Sequence, residues 1–194
     1  MVAAAIFACT IALTSALDSS APSGPADPIA FHVRAVDPQA QEWIRLGASA
    51  SKTFRTLLAR LASSDLIVYV EIVDRIIGGA AGHLYFVTAT AGVRYVRIEV
   101  VADGTVREMV TLLGHELQHA VEIADARQVR DPQSMARLYL GMTENLPSRK
   151  YDSVAARVTE ERVRREISGY RPAPPAHSHA QTPVGPLHPF VAGR

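Results

Sequence analysis

Cysteine is almost absent from this chain of 194 residues: Cys9 is the only one. A single thiol excludes an intramolecular disulfide and a cysteine-ligated zinc cluster, and it leaves no thiol nucleophile for the folded part of the chain. Charge of one sign is missing too. Lys and Arg number 20 against 19 Asp and Glu, a formal net charge of +1, so the balance points neither to nucleic acid nor to an anionic membrane surface as a partner. The densest basic group, Arg162, Arg164 and Arg165, is interleaved with Glu160, Glu161 and Glu166, which reads as the solvated face of a helix. Apolar residues, by contrast, are plentiful. They make up 48% of the chain against 20% charged, enough for one globular domain with a buried core and tails.

Residues 1–17 form an uncharged apolar run, followed by a Ser/Pro/Gly/Asp linker over 18–28. The run reads as a secretory signal peptide or an uncleaved anchor, although no basic residue precedes it and the first positive side chain is Arg34. The expected domain therefore spans 29–170 and works outside the cytoplasm, secreted or N-terminally anchored, with no membrane span in the folded part. Residues 171–194 are Pro-rich with little apolar content, a composition that predicts a disordered tail in which His177 and His179 are incidental.

Between these tails the pattern alternates helix and strand signals. Asp37-Pro38 opens a helix that runs past Trp43, Ile44, Phe54, Leu57, Leu58 and Leu61, with a break expected near Gly47 and an end at Ser63-Ser64-Asp65. Leu66–Ile72 is β-branched and aromatic, of strand length. The runs 83–90 and 93–101 flank Ala91-Gly92 and predict a hairpin, with Val96, Ile98 and Val100 on one face and Tyr95, Arg97 and Glu99 on the other. His83 opens the first of these and reads as a surface imidazole. Thr105-x-x-Glu108 is a capping box that starts a further helix. Pro132 begins a short helix closed by Gly141, and a last helix is expected over 148–168, stopped by Gly169.

The helix begun at Thr105 carries His115-Glu116-Leu117-Gln118-His119. Two imidazoles four residues apart lie on one helical face about a turn apart, the spacing that lets both reach one Zn²⁺. Glu116 sits beside the metal rather than on it, where it can take a proton from water acidified by the ion. Val106, Val110, Leu113, Leu117, Val121 and Ala124 repeat at helical spacing roughly opposite the histidines, so one face packs and the other carries ligands.

This His-Glu-x-x-His helix with uncharged flanks resembles the active-site helix of the zincin metallopeptidases. The resemblance implies zinc, a Glu general base and hydrolysis of peptide bonds in a peptide or protein substrate. It also implies an α+β, zincin-like fold, with a small mixed or antiparallel sheet packed on the motif helix and further helices before and after it. Tyr151-Asp152-Ser153-x-Ala155-Ala156 is similar to an aromatic-Glu-Thr-x-Ala-Ala block that follows the zinc helix in some small bacterial proteins with this motif; this chain has Asp where that block has Glu.

A catalytic zinc keeps three protein ligands and an open position. Asp125, six residues beyond His119, stands where one zincin branch has its third ligand, but Glu122 occupies the place of the turn-forming Gly of that branch. Glu122 itself lies on the histidine face of the same helix and suits a hydrogen bond to an imidazole better than a bond to the metal. On the last helix Asp152, Ala155, Ala156, Thr159 and Val163 share a small-residue face, whereas Glu160 and Glu161 fall with Arg157, Arg164 and Arg165. Asp152 is the expected third ligand with His115 and His119, and Glu160 is the alternative, about 12 Å further along the helix. The strand over 93–101 could pair with an extended substrate. Tyr139 and Tyr151 are available as oxyanion donors, but neither is aimed by the sequence. The competing reading is a non-catalytic scaffold with a structural metal, or none, acting as a binding module.

Overall fold

The computed structural model describes residues 32–142 and 152–170. The apolar leader, the linker, Tyr151 and the Pro-rich tail with His177 and His179 lie outside the described residues.

Asp37 caps the first helix by accepting from the Ala40 amide at 2.8 Å, and Pro38 follows at the position where a missing N–H costs nothing. That helix, α1, spans Pro38–Ala50, and α2 spans Lys52–Ala62. The break falls at Ser51 rather than at Gly47. Ser51 is extended and serves both as the end of α1 and as the N-cap of α2, accepting from Phe54 N at 3.0 Å, whereas Gly47 stays helical, and its lack of a side chain leaves room for the Phe54 ring.

Four strands follow the alternation of apolar residues: β1 Val33–Ala35, β2 Leu66–Val73, β3 Gly82–Ala89 and β4 Arg94–Val101. Their order is β1-β2-β4-β3, with β1 and β4 parallel to β2 and β3 antiparallel to β4. The expected hairpin is thus β3–β4, and the sheet is mixed. Its inner face, Val68, Val70, Val96, Ile98 and Val100, is fully buried. Strand β4 has neighbours on both sides, which corrects its expected role as a docking edge for substrate. The edge beside the site is β3, whose pairing with β4 is interrupted by a bulge at Val87 and resumes at Thr88.

Helix α3, Val106–Asp125, lies between this sheet and the last helix, α5, Val154–Ser168; α4, Pro132–Met142, packs against β3. The described residues therefore form an α+β fold of five helices and a four-stranded mixed sheet. Of the expected apolar stripe on α3, Val110, Leu113, Leu117 and Val121 are buried, while Val106 in the first turn is exposed. Being covered on two sides, α3 also buries Met109, Ala120 and Ile123. Met109 and Ile123 each contribute about 1.5–3 kcal/mol on burial. Gly141 falls inside α4 rather than closing it. No helix among the described residues is long and apolar enough to cross a membrane.

Both ends of α3 are fixed. At its start Thr105 Oγ1 accepts from Glu108 N, and the Glu108 carboxylate accepts from Thr105 N at 2.7 Å, the capping box expected. At its end the guanidinium of Arg94, wholly buried, donates to the carbonyls of Ile123, Ala124, Ala126 and Val129 at 2.8–3.1 Å. The same group forks onto Asp65 at 2.6 and 3.0 Å. Carbonyls at a helix C-terminus have no partner within the helix, so one side chain from the sheet supplies the donors that α3 lacks.

Helix α5 is held at both ends as well. Ser153 caps its start, and Gly169 ends it in a right-handed conformation. Near that end the Glu166 carboxylate accepts from Ser51 Oγ, Thr53 N and Thr53 Oγ1 at 2.5–2.9 Å. Burial alone would raise the Glu166 pKa; these hydrogen bonds at the N-terminus of α2 outweigh it and hold the group below its ordinary value.

Candidate metal centre

His115 and His119 project from the α3 face turned toward the start of α5. Their Nε2 atoms are 3.1 Å apart, and Asp152 Oδ1 is 3.6 Å from His115 Nε2. One ligand atom from each of the three residues lies within 4.8 Å of the others. The outer nitrogens are held by carboxylates. His119 Nδ1 meets Glu122 at 2.8 Å and His115 Nδ1 meets Glu160 at 3.1 Å. With both Nδ1 atoms donating, the two Nε2 lone pairs face one another across the gap, and only a positive species between them makes that arrangement favourable. Two neutral imidazoles and a carboxylate around one point, each imidazole backed by an acid, form a donor set that fits a divalent cation with an open position.

Burial and the neighbouring His119 lower the His115 pKa. Burial acts against charge on His119 too, but its hydrogen bond to Glu122 and the nearby carboxylates prevail and raise it.

Glu116 is 6% exposed, and burial pushes its pKa up to about 7. It reaches the cleft because β3 begins with Gly82. A Cβ at that position would stand 2.5 Å from Glu116 Oε1, closer than real contacts allow. The cleft, about 590 Å³, has the His115–Glu116–His119 surface as its floor, β3 on one side, and Met135, Ala136 and Tyr139 of α4 on the other. Tyr139 is buried behind His119, its ring edge-on at 5.2 Å and its hydroxyl donating to the His119 carbonyl at 3.3 Å. Its hydroxyl thus supports the ligand helix.

The expected third-ligand candidates separate clearly. Asp152 joins the two histidines. Asp125 is a surface partner of Arg60 at 2.6 Å, and Glu161 pairs with Arg164 and Arg165 in solvent. Glu122 hydrogen-bonds an imidazole, as its position on the histidine face predicts. Glu160 departs from the solvated reading: it bonds Arg164 and also reaches His115. Acids Asp152 and Glu160 therefore meet opposite nitrogens of one imidazole, so both bear on His115 at once. On α5 the buried face is Ala156, Thr159, Val163 and Ile167, with Ala155 exposed. The close approach of the two helices depends on Gly114, where a Cβ would meet Val163 at 3.0 Å. His83 is exposed at the cleft rim, its ring 5.6 Å from that of Tyr85. It is absent from the ligand cluster.

No family model, no curated protein and no solved structure matches this chain.

Proposed function

We propose that the protein is a zinc-dependent metallopeptidase. The observation that carries this reading is the juxtaposition of His115, His119 and Asp152 with Glu116, a buried carboxylate that opens on the same cleft. His115, His119 and Asp152 would hold zinc, with Glu160 and Glu122 fixing the two rings. When bound, zinc supplies a Lewis acid that polarises the scissile carbonyl and acidifies water. Glu116 takes a proton from the attacking water and returns it to the leaving amine. Strand β3 would orient the substrate. Ala81 O accepts from Val101 N at 2.8 Å, so by antiparallel alternation Gly82, Leu84 and Phe86 turn their N–H and C=O groups away from β4, toward an added strand. The apolar leader supports a site of action outside the cytoplasm, secreted or anchored.

The reading is tested by incubating zinc-loaded protein with a mixed peptide pool, with and without chelator. Cleavage that the chelator abolishes is expected. Loaded protein that cleaves nothing would favour the binding-module reading, in which the metal is structural and Glu116 has no proton to move.

Gly82→Ala gives a more local prediction. The added methyl group must push the Glu116 carboxylate aside, and displacement of a reacting group by about 1 Å costs on the order of 10²-fold in rate. Zinc content should stay at the wild-type level, since no ligand moves. Unchanged turnover would mean that the position of Glu116 against β3 is irrelevant.

A further inference from the structure

We infer that Ser153 is a positioning residue for the metal site, acting through Glu122 to tie the two ligand-bearing helices together; this rests on the zinc reading above. Ser153 is 5% exposed and follows Asp152 directly. Its hydroxyl oxygen accepts from Ala156 N at 2.9 Å as the N-cap of α5. Its one proton is donated to Glu122 Oε1 at 2.5 Å. The other oxygen of that carboxylate meets His119 Nδ1 at 2.8 Å.

The proton count along this chain has a single solution. The Ala156 amide can only donate, so Ser153 accepts there and spends its proton on Glu122. A carboxylate accepts at both oxygens, so His119 must carry its proton on Nδ1. The lone pair of His119 Nε2 is then presented toward Asp152 and His115. One carboxylate therefore sets the tautomer of a ligand on α3 and holds the residue next to the ligand before α5. An ordinary N-cap would satisfy the helix amides just as well without reaching the facing helix.

The consequence is separable from helix capping because Gly replaces a Ser cap at a cost of only a few tenths of a kcal/mol. In Ser153→Gly, zinc affinity measured by competition with a chromophoric chelator should fall about 10–100-fold, the usual effect of losing a group that orients a ligand. Ser153→Thr, which keeps the hydroxyl, should bind within a few-fold of wild type. With Co²⁺ as the probe, the visible absorption of Ser153→Gly should differ from that of wild type and Ser153→Thr. In a Glu122→Ala background Ser153→Gly should cost nothing further.

Wild-type affinity in Ser153→Gly overturns the inference, as do losses that simply add to those of Glu122→Ala. A Ser153→Gly protein that has lost helix content before metal is added also counts against it, because the hydroxyl would then serve the fold rather than the site. A wild-type chain that binds no zinc overturns the metallopeptidase reading itself, so the two failures are told apart.

Discussion

Glu116→Gln is expected to keep zinc and to lose peptide hydrolysis by about 10²–10⁴-fold, the range for removal of a general base. Gln is isosteric with Glu and fits the same gap beside Gly82, so the cleft and the ligand set remain as they are. The amide has no lone pair able to take the proton of the attacking water, which is why rate and not metal content should respond. Steady-state turnover on a cleaved peptide, measured beside zinc content for both proteins, separates the two quantities. Loss of metal in parallel with rate would make Glu116 a ligand, or a support for one, and would contradict its role as base.

Arg94→Met carries the largest expected effect on stability. The side chain is completely buried and donates to Asp65 and to four carbonyls at and just beyond the end of α3. Methionine fills much of the volume but leaves those carbonyls and the carboxylate without their donor. Asp65 is about a third exposed and can turn to water, but the buried carbonyls cannot; leaving such acceptors unpaired costs about 1–3 kcal/mol each, so the melting temperature should drop by roughly 10 °C. The hydrogen bond from Arg94 is the main cause holding the Asp65 pKa below its ordinary value, with burial opposing it. A depressed carboxylate contributes stability that is complete above its unfolded pKa, about 3.9, and is lost as pH falls through the lower folded value. The variant should therefore also lose part of the acid-side pH dependence seen in the wild type. Urea unfolding of metal-free protein between neutral and acid pH measures both effects, and a variant within about 1 kcal/mol of wild type would contradict the capping role.

These two residues also mark what can and cannot be read from the chain. The placement of Glu116 beside His115 and His119 is readable because the three residues lie within about one turn of one helix. The same locality made the Thr105–Glu108 box, the Asp37 cap and the β3–β4 hairpin readable. Glu122, three residues beyond His119, could be assigned to an imidazole by helix geometry alone. Arg94 could not. It is one Arg among many, at the start of a strand, and nothing near it in sequence says that its guanidinium will meet carbonyls some 30 residues away.

Glu160 failed for a related reason. Its sequence neighbours Arg157 and Arg164 suggested a solvated face, yet the approach of α5 at Gly114 swings that carboxylate onto His115. Sheet order was equally hidden. The parallel pairing of β2 with β4 encloses the strand that looked the better substrate partner and leaves β3 at the edge. The three-residue β1 carries too short a pattern to be recognised before its neighbour is known.

Zinc content per chain, measured by atomic spectroscopy on the purified wild type and on His115→Ala and His119→Ala, tests the shared site most directly. About one zinc per chain is expected in the wild type, with loss of tight binding in each variant. The same stoichiometry and affinity in all three proteins would contradict a metal held between these two imidazoles.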